Sequence, residues 1–170
     1  MIIKRITVEN AGPFLGSWDV DFREGATVVI ADYEGSDARS NRAGKSYFAV
    51  DCPLYALHGW FRGTKVDDFP HRLAAGREDA YVELDVVSSD GIEWKIRRGR
   101  TKGGEPIREL NGSPIKEVDL KQAVENEILG LSLEEHLMTT AFVQGEIHGF
   151  MRLGAADKRR IISPWFRTDR

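Results

Sequence analysis

The chain is short of cysteine, with Cys52 alone among 170 residues, so no internal disulfide can form and a disulfide-stapled secreted fold is excluded. It has no apolar run near the roughly 20 residues that cross a bilayer as a helix. The opening MIIKRITVEN places charges where a leader peptide needs its apolar stretch, so the expected location is the reducing cytoplasm, with no membrane partner. Charge of one sign is also scarce. The formal net charge is −3, which excludes a wholly basic nucleic-acid coat but not a local basic patch. No internal repeat, low-complexity segment or heptad array interrupts the chain.

What is present suits one globular domain: 41% hydrophobic and 30% charged residues over a length that can enclose a core. Residues 2–8 and 18–22 are short and β-branched or alternating, with AGPFLGS between them, and predict a hairpin. Residues 26–31 (ATVVIA) are apolar without alternation, as in a strand covered on both faces. After a loop rich in Gly, Ser, Asp and Arg, residues 44–58 show helical spacing at Phe48, Ala49, Cys52, Tyr55 and Ala56, with Gly59 as a stop. Pro53 lies inside this helix and predicts a kink near Ala49, because proline removes an N–H.

Residues 80–88 alternate, turn at Ser-Asp-Gly and continue as 92–98. A Gly-rich tip (GRTKGGEP) follows, then IREL and an Asn111-Gly112 turn. Apolar spacing predicts a helix over 119–129 closed by Gly130. Ser132 with Glu135 forms a capping box that opens another helix. A last, basic helix is expected over 157–162.

The chemical signal is SNRAGKS at 40–46, after a buried strand and before a helix. A helix N-terminus points backbone N–H groups at an anion, and glycine admits close approach. Lys45 would reach the β and γ phosphates, and Ser46 would ligate magnesium. Arg39 stands where the full phosphate-loop pattern has its first glycine, and the loop is long. Gly44-Lys45-Ser46 as a plain helix start therefore stands beside the nucleotide-site reading. A second signal is the acid-free basic run Lys95, Arg97, Arg98, Arg100 and Lys102. Alternation puts Lys95 and Arg97 on one face and Arg98 on the other, with Arg100 and Lys102 assigned to the tip. It reads either as a solvated hairpin edge or as a DNA-phosphate contact by Lys95, Arg97, Arg100 and Lys102. The histidines His58, His71, His136 and His148 lack ligand spacing.

Several stretches in order, namely AGPF, SNRAGKS, the helix ending YALHG, FVQGEIHGFM and ADKRRII, resemble the N-terminal half of SbcC-type ATPases. These are SMC-related, ABC-class ATPases of DNA double-strand-break repair. The resemblance implies an α/β fold: a P-loop ABC-type ATPase lobe with a mixed sheet, an antiparallel hairpin region and flanking helices. It implies a lobe over 1–162, with the phosphate loop at 39–46 and a Q-loop around 142–150, and a truncated connection towards a coiled coil from 163 to 170. ATP and Mg2+ would be held by Asn41, Arg42, Ala43, Gly44, Lys45, Ser46 and Tyr47. Gln144 would contact the metal beside Ser46 and sense the γ-phosphate in catalysis.

The implied partners are the chain's own C-terminal lobe, a second ATPase head in a homodimer, an SbcD-type nuclease and double-stranded DNA. The Asp-Glu strand and the Ser-Gly-Gly signature of the family are missing, YVELDVV at 81–87 being the nearest strand. ATP hydrolysis is accordingly expected only when a C-terminal half completes the site. The rivals are a DNA-binding or scaffold module with a decayed phosphate loop, and a small P-loop kinase, which no arginine-rich lid supports.

Overall fold

In the computed structural model, the described residues are 1–23, 25, 27, 29, 44–62, 69–139 and 154–159. They fall in two compact units, Met1–Gly130 and Leu131–Arg170.

The first unit is built on a six-stranded sheet. Its strands are β1 (Ile2–Glu9), β2 (Ser17–Asp21), β3 (Ala80–Val87), β4 (Glu93–Arg100), β5 (Pro106–Leu110) and β6 (Ser113–Pro114). They run in the order β2-β1-β3-β4-β5-β6, and each of these pairings is antiparallel. The expected β1–β2 and β3–β4 hairpins are present. The strand expected at 26–31, through which a mixed sheet would arise, lies mostly outside the described residues. The β5–β6 turn is at Asn111 and Gly112, with φ of 52° and 77°, as Asn-Gly predicts for a two-residue hairpin.

Alternation in β3 is strict: Ala80, Val82, Leu84 and Val86 are buried while their neighbours are half-covered. Register then sets Val82 opposite Arg98 and Leu84 opposite Ile96. One face of the sheet, with Ile6, Val8, Leu84 and Ile96, forms the core with Cys52, Tyr55 and Ala56 of α1 (Cys52–His58). Leu120 of α2 (Glu117–Ala123) completes that core, with Val124 and Ile128 from the segment that follows α2.

Two helical segments have π geometry, Tyr47–Asp51 before α1 and Val124–Ile128 after α2. The first directly precedes Cys52-Pro53, the region where the sequence predicts a kink. Pro53 has no N–H to return to the preceding turn, and the Cys52 N–H bonds Tyr47 O, five residues back. Gly59 ends α1 in the left-handed region at φ 69°, and Gly130 follows the second π segment at φ 74°. The tip between β4 and β5 is shorter than expected, because Arg100 is the last residue of β4, not part of the loop.

In the second unit, α3 (Leu133–Thr139) opens on the expected capping box. The Ser132 N–H donates to Glu135 Oε2 at 2.8 Å, and the Glu135 N–H donates to Ser132 Oγ at 3.3 Å. Residues 155–159 are helical, in part of the expected basic helix.

Candidate nucleotide site

Gly44 has φ 79°, and the residues after it are helical. The first bond of this helix runs from the Phe48 N–H to Gly44 O at 2.9 Å. Backbone N–H groups of the first turn, ahead of Phe48, therefore find no acceptor within the helix, and the positive end of its dipole lies there. A β-carbon on Gly44 would stand 2.7 Å from Pro13 Cγ and 3.2 Å from Phe14 Cζ. The glycine is thus required twice, by its backbone angle and by the loop against it.

That loop, Ala11–Gly16, is held by Asn10. Asn10 is buried, with φ 47°, a conformation asparagine tolerates better than most residues. Its Nδ2 donates to Glu78 Oε2 at 3.0 Å and Asp79 O at 3.1 Å, and its Oδ1 accepts the Gly16 N–H at 2.8 Å. The Gly12 N–H donates to Phe69 O at 2.8 Å, and Ala11 bridges Pro70. Sequence reading missed Asn10. The signal for it is an asparagine at the end of a strand, directly before Ala-Gly-Pro.

Of the residues assigned to nucleotide binding, Gly44, Lys45, Ser46 and Tyr47 are described, whereas Asn41, Arg42 and Ala43 lie outside the described residues, as do Arg39 and Gln144. Lys45 is half-buried and Ser46 exposed. A helix start preceded by a left-handed glycine and followed by an ammonium and a hydroxyl fits a triphosphate with its magnesium ion. Tyr47 contributes differently from its neighbours. Its ring stacks on Phe61 at 5.4 Å, in a series continued by Tyr55 and Phe69, and burial raises its phenol far above the usual range. Its side chain is part of the packing, which leaves its backbone N–H for a ligand.

Asp51, on the same helix, is 6% exposed; its Oδ1 meets no donor and its Oδ2 lies 3.4 Å from Arg62. Burial raises its pKa against the opposing pull of Arg62. Cys52 is fully buried, and burial likewise raises its thiol.

The residues assigned to DNA are not brought to one surface. Lys95 and Arg97 lie on the face of the sheet away from α1. There Lys95 pairs with Glu83 at 3.1 Å and Asp85 at 3.4 Å, and Arg97 pairs with Glu83 at 3.1 Å and Glu109 at 3.5 Å. Arg97 also sits 4.0 Å over the Tyr81 ring. By register this outer face carries Glu9, Asp19, Asp21, Glu83, Asp85, Glu93 and Glu109 against Arg5, Lys95 and Arg97, and is acidic in balance. Arg100 belongs to the opposite face and donates to Gly104 O at 3.0 Å. Lys102 is in the turn, with its backbone N–H on Asp79 Oδ1 at 2.8 Å.

Arg98 lies on the opposite face from Lys95 and Arg97, as alternation predicts, and is buried there. It is 4% exposed, with Nε on Ala56 O at 3.2 Å and Nη1 on Glu117 Oε1 at 2.7 Å. Arg108 Nε reaches the same carboxylate at 2.6 Å. Among the described residues no group of three or more His, Cys, Asp or Glu could hold a metal ion, and no helix is long and apolar enough to cross a membrane.

No family model matches the chain. Curated relatives do. The chain is 28% identical to a DNA double-strand break repair Rad50 ATPase of Thermoplasma volcanium, an alignment that covers all of this chain and 18% of that protein. It is 27% identical to the protein of the same name from Methanocaldococcus jannaschii over 96% of its length, which is 15% of the relative. The chain thus spans less than a fifth of the length of the curated relatives it matches.

Among solved structures, an SMC head bound to the C-winged helix domain of ScpA superposes with a TM-score of 0.69 at 17% identity, covering 96% of this chain and 51% of that one. A chain from work on ATP-driven dimerization and DNA-stimulated activation of SMC ATPases gives 0.67 at 18% identity, covering 95% and 98%. The recombination mediator RecF with ATP gives 0.54 at 25% identity over 68% of this chain and 28% of that one. In sequence the chain is similar from end to end to Rad50 DNA double-strand-break repair ATPases, and in fold, α/β, it is similar to SMC head domains.

Proposed function

We propose that the chain is the nucleotide-binding lobe of an SbcC-like DNA-repair ATPase, which binds ATP with Mg2+ at the helix start after Gly44. The observation that carries this is Gly44 itself, in the left-handed region ahead of an N-terminal turn that continues with Lys45 and Ser46. Backbone N–H groups and Lys45 would hold the β and γ phosphates, with Asn41, Arg42 and Ala43 completing the loop. Ser46 and Gln144 would orient the metal, which when bound neutralises phosphate charge. Gln144 has both an amide oxygen and an N–H donor, so it can couple the state of the γ-phosphate to the lobe.

In the whole protein, nucleotide binding would drive dimerisation of two heads, each completed by its own C-terminal lobe, and so gate double-stranded DNA for an SbcD-type nuclease. On this lobe Lys95 and Arg97 would add little to DNA contact, because acids on the outer face already answer them. Titration of the chain with ATP, with and without magnesium, tests the reading. Saturable binding that tightens with magnesium is expected. DNA binding with no ATP binding at all would instead favour a DNA-binding module with a decayed loop.

A further inference from the structure

Phe14, half-buried in the loop Ala11–Gly16, has neighbours on two sides. Its Cζ lies 3.2 Å from the place that a β-carbon on Gly44 would take, and its ring centre is 5.5 Å from that of Trp18, the two rings inclined at 56°. It also meets Phe48 edge-on at 5.7 Å, so the helix that starts at Gly44 holds it in position. Phe14 therefore connects that helix start with the indole of Trp18.

Trp18 does not have the burial its register predicts. It stands opposite Val8, which is fully buried, and residues opposite one another in an antiparallel pair share a face, so Trp18 lies on the covered side of the sheet. Yet it is 52% exposed, with Leu15 beside it 50% exposed, β2 being an edge strand among the described residues. The indole is fixed all the same, because its Nε1–H donates to Leu15 O at 3.2 Å. That bond uses the one donor on the ring, and what the indole still offers is apolar ring surface. An anion-attracting helix start and an exposed, oriented indole thus lie on either side of one phenylalanine. A bare polyphosphate can use the first feature only. A nucleotide matches both, with phosphates at one end, a flat aromatic base at the other and a sugar between them.

We infer that the indole of Trp18, flanked by Leu15, is the platform on which the base of the bound nucleotide lies. The inference rests on the nucleotide reading of Gly44 and Lys45, and it assigns a residue to the part of the ligand that a phosphate loop does not touch. Stacking on an aromatic face reads a base by its area and not by its hydrogen-bonding edges, so Trp18 contributes affinity for nucleotides as a class.

The test compares ATP with inorganic tripolyphosphate, both with magnesium, as ligands of the full chain and of its Trp18→Ala and Trp18→Phe variants. Trp18→Ala should weaken ATP binding about fivefold or more and leave tripolyphosphate binding unchanged, while Trp18→Phe, which keeps a ring, should retain most of the ATP affinity. ATP, and not tripolyphosphate, should also quench tryptophan emission. The chain has four tryptophans, and the difference between wild type and Trp18→Phe isolates this one. Circular dichroism identifies a variant that fails to fold; if Trp18→Ala does so, the quenching comparison, which needs only wild type and Trp18→Phe, decides. Unchanged ATP affinity in a folded Trp18→Ala variant, or no ATP-specific quenching that Trp18→Phe removes, overturns the inference. Equal losses for ATP and tripolyphosphate also overturn it, and make Trp18 a support for the loop instead. Tripolyphosphate binding that Lys45→Ala abolishes keeps the phosphate site standing in each of these cases, whereas no binding of either ligand by wild type removes the nucleotide reading and the platform with it.

Discussion

Pro13 and Gly44 approach so closely that a β-carbon on the glycine would lie 2.7 Å from the proline ring, although 31 positions separate them in sequence. The contact joins the loop after β1 to the start of the helix, and through it a turn early in the chain shapes the proposed nucleotide site. Gly44→Ala should therefore lose stability through both the left-handed backbone angle and the clash, by about 1–3 kcal/mol. Urea unfolding measures this. Nucleotide affinity should fall with it, because the helix start must shift to relieve the contact.

The buried Arg98 depends on Glu117 for its countercharge. Glu117→Ala leaves that guanidinium uncompensated and should destabilise the first unit by about 1–3 kcal/mol, a range that allows for the half-exposure of the carboxylate. Glu117→Gln, which keeps an acceptor but not the charge, should cost less. Equal losses in the two variants, read by denaturant unfolding, would mean that packing and not charge is what matters there.

His136 is buried in the second unit, and burial lowers its pKa from 6.5 to about 4. Between those values the unfolded chain binds the proton and the folded chain does not. Stability is therefore full above pH 6.5, falls as pH drops through the window, and has lost its whole share below about pH 4. The share is roughly 1–2 kcal/mol after discounting for partial exposure. A proton NMR titration should find His136 neutral at pH 6, and a midpoint near 6.5 would contradict its burial.

Much of the first unit is legible in the sequence, because its elements are specified locally. Alternation in AYVELDVV marks β3, Asn111-Gly112 marks a two-residue turn, and Ser132 with Glu135 marks a helix start; each pattern depends on neighbours a few residues apart. What could not be read depends on distant partners. Alternation separates Arg98 from Lys95 and Arg97, but its burial follows only once β4 pairs with β3, sets it opposite Val82 and carries it under Ala56 O. Arg100 stays in the strand because Ala80 and Pro106 pair with it on either side. Asn10 has no local pattern at all, since its partners Glu78 and Asp79 come from far along the chain. The π turns escape because their apolar positions still match ordinary helical spacing. For the candidate site, the motif identified Gly44, Lys45 and Ser46, while the role of the AGPF loop as their support needed the fold.

The central claim is that the helix start at Gly44 binds a nucleotide through Lys45. The most direct measurement is equilibrium binding of labelled ATP with magnesium to the chain and to Lys45→Ala, each checked for native circular dichroism. Wild type should bind saturably, and Lys45→Ala should lose about a hundredfold or more in affinity, roughly 2.7 kcal/mol, at unchanged stability. Unchanged ATP affinity in a folded Lys45→Ala variant would contradict the account.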